Sequence, residues 1–256
     1  MTVLHVQQYG DPVGPATLAL HGVTAHGRRF ERIATERWSH RRVVAPDLRG
    51  HGRSTWLPPW SIEQHVTDVI DTMDALELGT VDVVAHSYGG TIAMHLLAAV
   101  PARVRRLVLL DPALEADPEA MLPLARAAIS FGGFGTVDDA LRARNAGLGD
   151  DIHPDVRIDI EQHLVEVDGR YRYRFEPAAV VTGYGELCRP LPPRVEQRPT
   201  LLVAAMKAAF VTPAVRARLR DLFGAALETA DLDSGHMLYW ERFDETAALV
   251  TDFLDR

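Results

Sequence analysis

A single cysteine, Cys188, stands among the 256 residues, so no disulfide can form within the chain and packing alone must hold the fold. It reads as a small, partly buried hydrophobe rather than a catalytic thiol. No apolar run approaches the ~20 residues that cross a bilayer. Residues 1–12, MTVLHVQQYGDP, alternate as a strand does and show no basic head, apolar run and cleavage site. A soluble, cytoplasmic protein without membrane partners is therefore expected. Positive charge is scarce too: the net charge is −8 and the pI near 5.7, which argues against a nucleic-acid or anionic-membrane surface. The arginines at 41, 42, 103, 105 and 106 flank predicted strands and read as solvated rims. Neither G-x-x-x-x-G-K-[ST] nor a G-x-G-x-x-G after a strand occurs, so no nucleotide cofactor is expected. His21 and His26 have no matching carboxylate or cysteine cluster, so no metal is expected either. Internal repeats and low-complexity tracts are missing, and oligomeric state is not legible.

With 47% hydrophobic and 24% charged residues, the chain has an ordinary globular composition. At this length roughly three quarters of the unfolded surface can be buried. Short apolar runs, TLALHG (17–22), RRVVAPDL (41–48), VDVVAHS (81–87), RRLVLLDP (105–112), TLLVAAM (200–206) and ALETADLD (226–233), alternate with helical patterns. That alternation predicts an α/β fold, a mostly parallel twisted sheet with helices on both faces. Ser61 begins a helix running through Leu76 with Gly79 as its stop, residues 91–100 form another that ends at Pro101, and residues 244–254 form the last. Between Pro112 and Pro199 the alternation lapses. That stretch offers helices at about 118–129, at 137–146 after a Thr136 cap, and at 155–166, then a hairpin turning at Asp168-Gly169. It reads as an insertion over the end of the sheet. The expected organisation is thus a core of residues 1–112 and 199–256, and a small, mainly helical cap of residues 113–198.

The stretch VDVVAHSYGG puts Ser87 between a strand and a helix with small residues around it. Two readings stand: a nucleophile raised on a tight turn, or a serine capping a helix. A nucleophilic hydroxyl needs a base within reach, and the turn needs small residues two before and two after the serine. Ala85 and Gly89 fill those places, with alanine where the usual motif G-x-S-x-G has its first glycine.

Together with His21-Gly22 after one strand, the Gly-rich turn of APDLRGHGRS after the next, and Gly235-His236 ahead of the final helix, this turn resembles the α/β-hydrolase superfamily. The likeness spans nearly the whole chain outside residues 113–198. It implies Ser87 as nucleophile, His236 as general base, and the backbone N–H groups of Val23 and Tyr88 as oxyanion donors. His21, His51 and His86 are expected to brace loops and turns. The usual acid position falls at Ala208, and no Asp or Glu occurs between Glu196 and Asp221. Asp111, directly after an apolar strand, is the expected substitute, as in some superfamily members; it could instead cap the segment ahead of Pro112. Asp233 is the fallback.

The implied activity is a serine hydrolase of acyl substrates (ester, thioester or lactone) working through an acyl-enzyme on Ser87 on a small apolar substrate. Trp56, Trp60, Phe131, Phe134, Tyr184 and Met237 are candidates for its pocket. The competing readings are a ligand-binding protein with little turnover, prompted by Ala208, and a cofactor-free haloperoxidase or carbon-carbon bond hydrolase.

Overall fold

The apolar runs fold as strands of one seven-stranded sheet in the computed structural model, which describes residues 2–146, 148 and 151–256. Its strands are β1 (Val6–Gly10), β2 (Ala16–Leu20), β3 (Arg42–Pro46), β4 (Val81–His86), β5 (Val104–Leu110), β8 (Thr200–Ala205) and β9 (Leu227–Leu232), in the order β1-β3-β2-β4-β5-β8-β9. Only β1 runs antiparallel to its neighbour. The interior strands β4 and β8 are buried at every position, as continuous apolar runs covered on both faces must be.

Around the sheet lie α1 (Glu31–Glu36), α2 (Ile62–Ala75), α3 (Tyr88–Ala99), α8 (Pro213–Phe223), α9 (Leu238–Glu241) and α10 (Phe243–Leu254). Two buried apolar clusters result. One packs α2, α3 and α8 on Leu20, Val83 and Leu109, and the other packs α1 and α10 on Val43, Val84 and Val203. In α2, Ser61 Oγ accepts from Gln64 N at 3.3 Å, and Ile62, His65, Val66, Val69 and Met73 fall on the buried side at helical spacing. The chain leaves this helix through Glu77, at φ 52°, two residues before the expected Gly79.

The stretch between β5 and β8 adds no strand to the sheet. It holds α4 (Pro118–Ser130), α5 (Val137–Asn145), α6 (Pro154–His163), the hairpin β6 (Leu164–Val167) with β7 (Arg170–Tyr173), and α7 (Pro177–Glu186). Thr136 and Asp139 form a reciprocal capping box on α5. Asp168 and Gly169 turn the hairpin at φ 52° and 72°, as a type I′ turn requires. Helix α6 stops three residues short of the expected 166, because Leu164–Val167 pair with Arg170–Tyr173 instead. The sequence reading missed α7, whose two glycines hide its periodicity. Backbone bonds from Gly52 N to Arg174 O and from Glu176 N to Gly50 O, both 2.8 Å, tie this stretch to the Gly-rich turn after β3.

One rim expectation is corrected. Arg41 is almost wholly buried and pairs with the fully buried Asp82 of β4, while its Nη1 donates to Asp255 at 2.8 Å. A guanidinium next to a buried carboxylate can leave water because the partner replaces the lost hydration. Among the described residues, no helix is long and apolar enough to cross a membrane.

Candidate active site

Ser87 sits where β4 passes into α3, at φ 55° and ψ −119°, a conformation a non-glycine residue adopts only when its surroundings impose it. Those surroundings are tight. A Cβ on Gly89 would fall 2.3 Å from the Leu20 carbonyl, and one on Gly22 would fall 3.1 Å from Ser87 Cβ. Although Ser87 occupies the cap position of α3, its side chain makes no capping bond, which removes the helix-cap reading. Tyr88 is the first residue of α3, so its N–H is one of the donors a helix start leaves unpaired. The Tyr88 ring is buried edge-on against His65, at 5.6 Å. Val23 lines the same cavity as Ser87, and its carbonyl lies 2.5 Å from His51 Nε2.

Asp111 leaves β5 at φ 39° with its side chain completely buried. Its Oδ1 accepts from Ala205 N of β8 at 3.1 Å, and its Oδ2 lies 2.6 Å from His236 Nδ1. The carboxylate thus faces the imidazole and does not cap the segment ahead of Pro112. His236, on the loop after β9, has its ring between His86 (4.6 Å between centroids) and Phe210 (4.5 Å). His86 Nε2 donates to the His236 carbonyl at 2.9 Å, and Tyr239 Oη lies 3.4 Å from His86 Nδ1. Burial, and then the neighbouring His236, hold the His86 imidazole well below its ordinary pKa, so it is a neutral brace.

The other carboxylate considered from the sequence, Asp233, is largely exposed and pairs with Lys207 at 3.1 Å. Ala208 closes a turn onto Ala205 O. His21 accepts from Leu48 N at Nε2 (2.9 Å), so its Nδ1–H donates to the Gly22 carbonyl (2.8 Å); the ring pins the loop beside Ser87. No group of three or more His, Cys, Asp or Glu side chains gathers as a metal site among the described residues.

Ser87 and His236 open into one cavity of about 530 Å³. Val23, Thr24, Phe210, Met237 and Trp240 line it from around the sheet, and Leu124, Arg144, Leu148, Tyr184 and Leu187 line it from the stretch between β5 and β8. Of the six side chains nominated from sequence for a pocket, Tyr184 and Met237 are here. Phe131 instead stacks on Tyr173, Phe134 meets that ring edge-on, and Trp56 donates to the Gly52 carbonyl. The sequence reading missed Arg29, Arg144, Phe210 and Trp240, which carry no local motif. A second hollow of about 590 Å³ shares Arg29 and Trp240 with this cavity and contains neither Ser87 nor His236.

Residues 18–249 match the model of the alpha/beta hydrolase family. The chain is 38% identical over 252 residues to the lipase LipV of Mycobacterium tuberculosis, covering 96% of each protein. Among solved structures it resembles an E-2-(acetamidomethylene)succinate hydrolase, with a TM-score of 0.87 at 24% identity over 99% of this chain and 95% of the other. It also resembles a marine microorganism esterase, with a TM-score of 0.83 at 20% identity over 99% and 100%. On these matches, and with this strand order and turn geometry, the chain belongs to the alpha/beta hydrolase family.

Proposed function

We propose that the protein is a serine hydrolase of carboxylic esters or related acyl substrates. The observation that carries this reading is the 2.6 Å contact between Asp111 and His236, whose imidazole shares one cavity with the Ser87 hydroxyl. Asp111 accepts Nδ1–H and so holds His236 in the tautomer with a free Nε2 lone pair. That nitrogen takes the Ser87 proton as Oγ attacks the acyl carbon, and the proton then passes to the leaving alcohol. The N–H groups of Tyr88 and Val23 receive the negative oxygen of the tetrahedral intermediate. Water, activated by His236 in turn, releases the acid and restores Ser87.

Residues 113–198 serve in this reading as a cap that selects the acyl group, since Leu124, Tyr184 and Leu187 bring apolar surface over the nucleophile. The lipase LipV, a relative over nearly the full length, supports an ester substrate with apolar character. The half-buried lone thiol of Cys188 suits a reducing compartment, and the cytoplasm is the proposed location. A binding protein without turnover was suggested only by Ala208, and Asp111 meets the need that Ala208 leaves.

Burst release of 4-nitrophenol from a short acyl ester, together with fluorophosphonate labelling, tests the proposal. Both are expected in the wild type and neither in Ser87→Ala. A wild type that neither labels nor turns over would overturn it.

A further inference from the structure

The cavity wall holds a partly buried guanidinium, that of Arg144, which shares its one carboxylate with a second arginine. Arg29, preceding α1, and Arg144, in the last turn of α5, both line the cavity. Behind them Asp159 of α6 is almost fully buried, and its oxygens are taken. Oδ1 accepts from Arg29 Nε (3.0 Å) and faces His26 Nε2 (2.9 Å), while Oδ2 accepts from Arg29 Nη2 (3.0 Å). This is the two-pronged pairing that suits a guanidinium, and it leaves little of the carboxylate for a second one. Arg144 nevertheless stands against the same group. Its Nε lies 3.4 Å from Asp159 Oδ2 but is buried without a hydrogen-bond partner, and it forms no other ion pair among the described residues. Its Nη2 donates to the Thr24 carbonyl at 3.3 Å, and its guanidinium carbon lies 4.4 Å from the Tyr173 ring centroid. Glu241, a carboxylate that also lines the cavity, is turned onto the backbone, where its Oε2 accepts from Gly235 N at 2.7 Å, and it forms no ion pair with Arg144 among the described residues.

Two guanidinium groups share the one carboxylate of Asp159, so Arg144, partly buried at the cavity wall, has positive charge left to offer an anion. From this arrangement we infer that Arg144 forms an anion subsite, and that the substrate is an acyl ester whose acyl chain ends in a carboxylate. The inference rests on the hydrolase reading for its ester bond but not for its anion. A carboxylate is planar and takes two parallel N–H bonds from a guanidinium, so it fits Arg144 better than a neutral polar group would. Apolar side chains that line the same cavity as Arg144 and Ser87, Leu124, Leu148 and Tyr184 among them, suit the methylenes that would join carboxylate to ester. A purely structural Arg144, latching α5 to the Thr24 loop, would be indifferent to the charge of the substrate.

The test compares one chain length with and without the terminal charge. In Ser87→Ala protein, calorimetry with monomethyl suberate and with dimethyl suberate is expected to show the monoanion binding about tenfold tighter, with Arg144→Gln removing that preference and Arg144→Lys keeping part of it. With Ser87 intact, mono-4-nitrophenyl suberate should exceed 4-nitrophenyl octanoate in kcat/KM by a similar factor. Arg144→Gln should raise KM for the anionic ester about tenfold or more while moving the octanoate by less than about threefold. Equal affinity for the two suberates in Ser87→Ala, which needs no Arg144 variant to fold, overturns the proposal, as does an equal loss on both esters in Arg144→Gln. Failure of both esters to turn over in the wild type, without fluorophosphonate labelling, would count against the hydrolase reading alone, and calorimetry would still decide the subsite.

Discussion

His236 Nδ1 lies 2.6 Å from Asp111 Oδ2, so the late imidazole is held by a carboxylate from the end of β5 and not by one from the loop after β8. The first prediction follows from this pair. Asp111→Asn presents an N–H or a weaker acceptor to Nδ1 and favours the wrong tautomer, and kcat/KM for a 4-nitrophenyl ester should fall by about 10³ to 10⁴. Asp233→Asn loses only an exposed pair with Lys207 and should stay within about twofold, because such pairs contribute little. The reverse ranking would remove Asp111 from the proposed mechanism.

A second prediction concerns the turn beneath Ser87. Gly89→Ala would place a methyl 2.3 Å from the Leu20 carbonyl, a backbone atom of β2 that cannot swing aside. Overpacking of this kind costs about 1–3 kcal/mol. Urea denaturation should show that loss, accompanied by reduced ester hydrolysis as α3 is pushed off β2. An unchanged midpoint would mean that the helix start has room to move.

Asp159 supplies the third. Its buried carboxylate holds Arg29 through two bonds, and Asp159→Asn leaves that guanidinium charged and without a counterion. Removing one partner of a buried pair typically costs about 3–5 kcal/mol. A denaturation curve in which Asp159→Asn matches the wild type would show that water reaches Arg29.

The fourth is an acid sensitivity of the fold. Burial lowers the pKa of His21, His51, His86 and His163, and brings His65 to about 3, in each case chiefly because the imidazolium would lose its water. In the unfolded chain these rings take protons near the ordinary value of about 6.5. Between that value and the depressed folded values, the unfolded state binds more protons, so stability rises with pH and is lost as pH falls below about 6.5. The slope is about 1.4 kcal/mol per pH unit for each ring. Urea midpoints measured at pH 7.5 and 5.5 should therefore drop clearly at the lower pH. Equal midpoints would mean that these rings already carry protons in the native state or are solvated there.

Much of the site was legible because its pieces carry local physics. The turn at Ser87 needs small neighbours, so Ala85, Gly89 and Gly90 mark it in the sequence. Asp111 could be ranked above Asp233 because it follows a continuous apolar run, which places it at the carboxyl end of the sheet. Whether its carboxylate faces His236 or caps Pro112 depends on Ala205 N, contributed by a strand 94 positions away, and no local pattern encodes that approach. Helix α7 was missed for a different reason. Its glycines blur the helical period, and one of them, Gly183, is small because Val23 packs against it: a Cβ there would meet Val23 Cγ2 at 2.7 Å.

Sequence was enough for the alternation of strands and helices, the serine turn, the late histidine and the missing acid at Ala208, since each depends on neighbours within a few residues. Tertiary structure alone decided that Arg41 would be buried against Asp82, that Phe210 would flank His236, and that Arg29 and Arg144 would meet around Asp159 at the wall of the cavity. Those relationships join segments tens to more than a hundred residues apart. Their energies come from desolvation and charge pairing, which exist only once the chain has closed and water has been expelled.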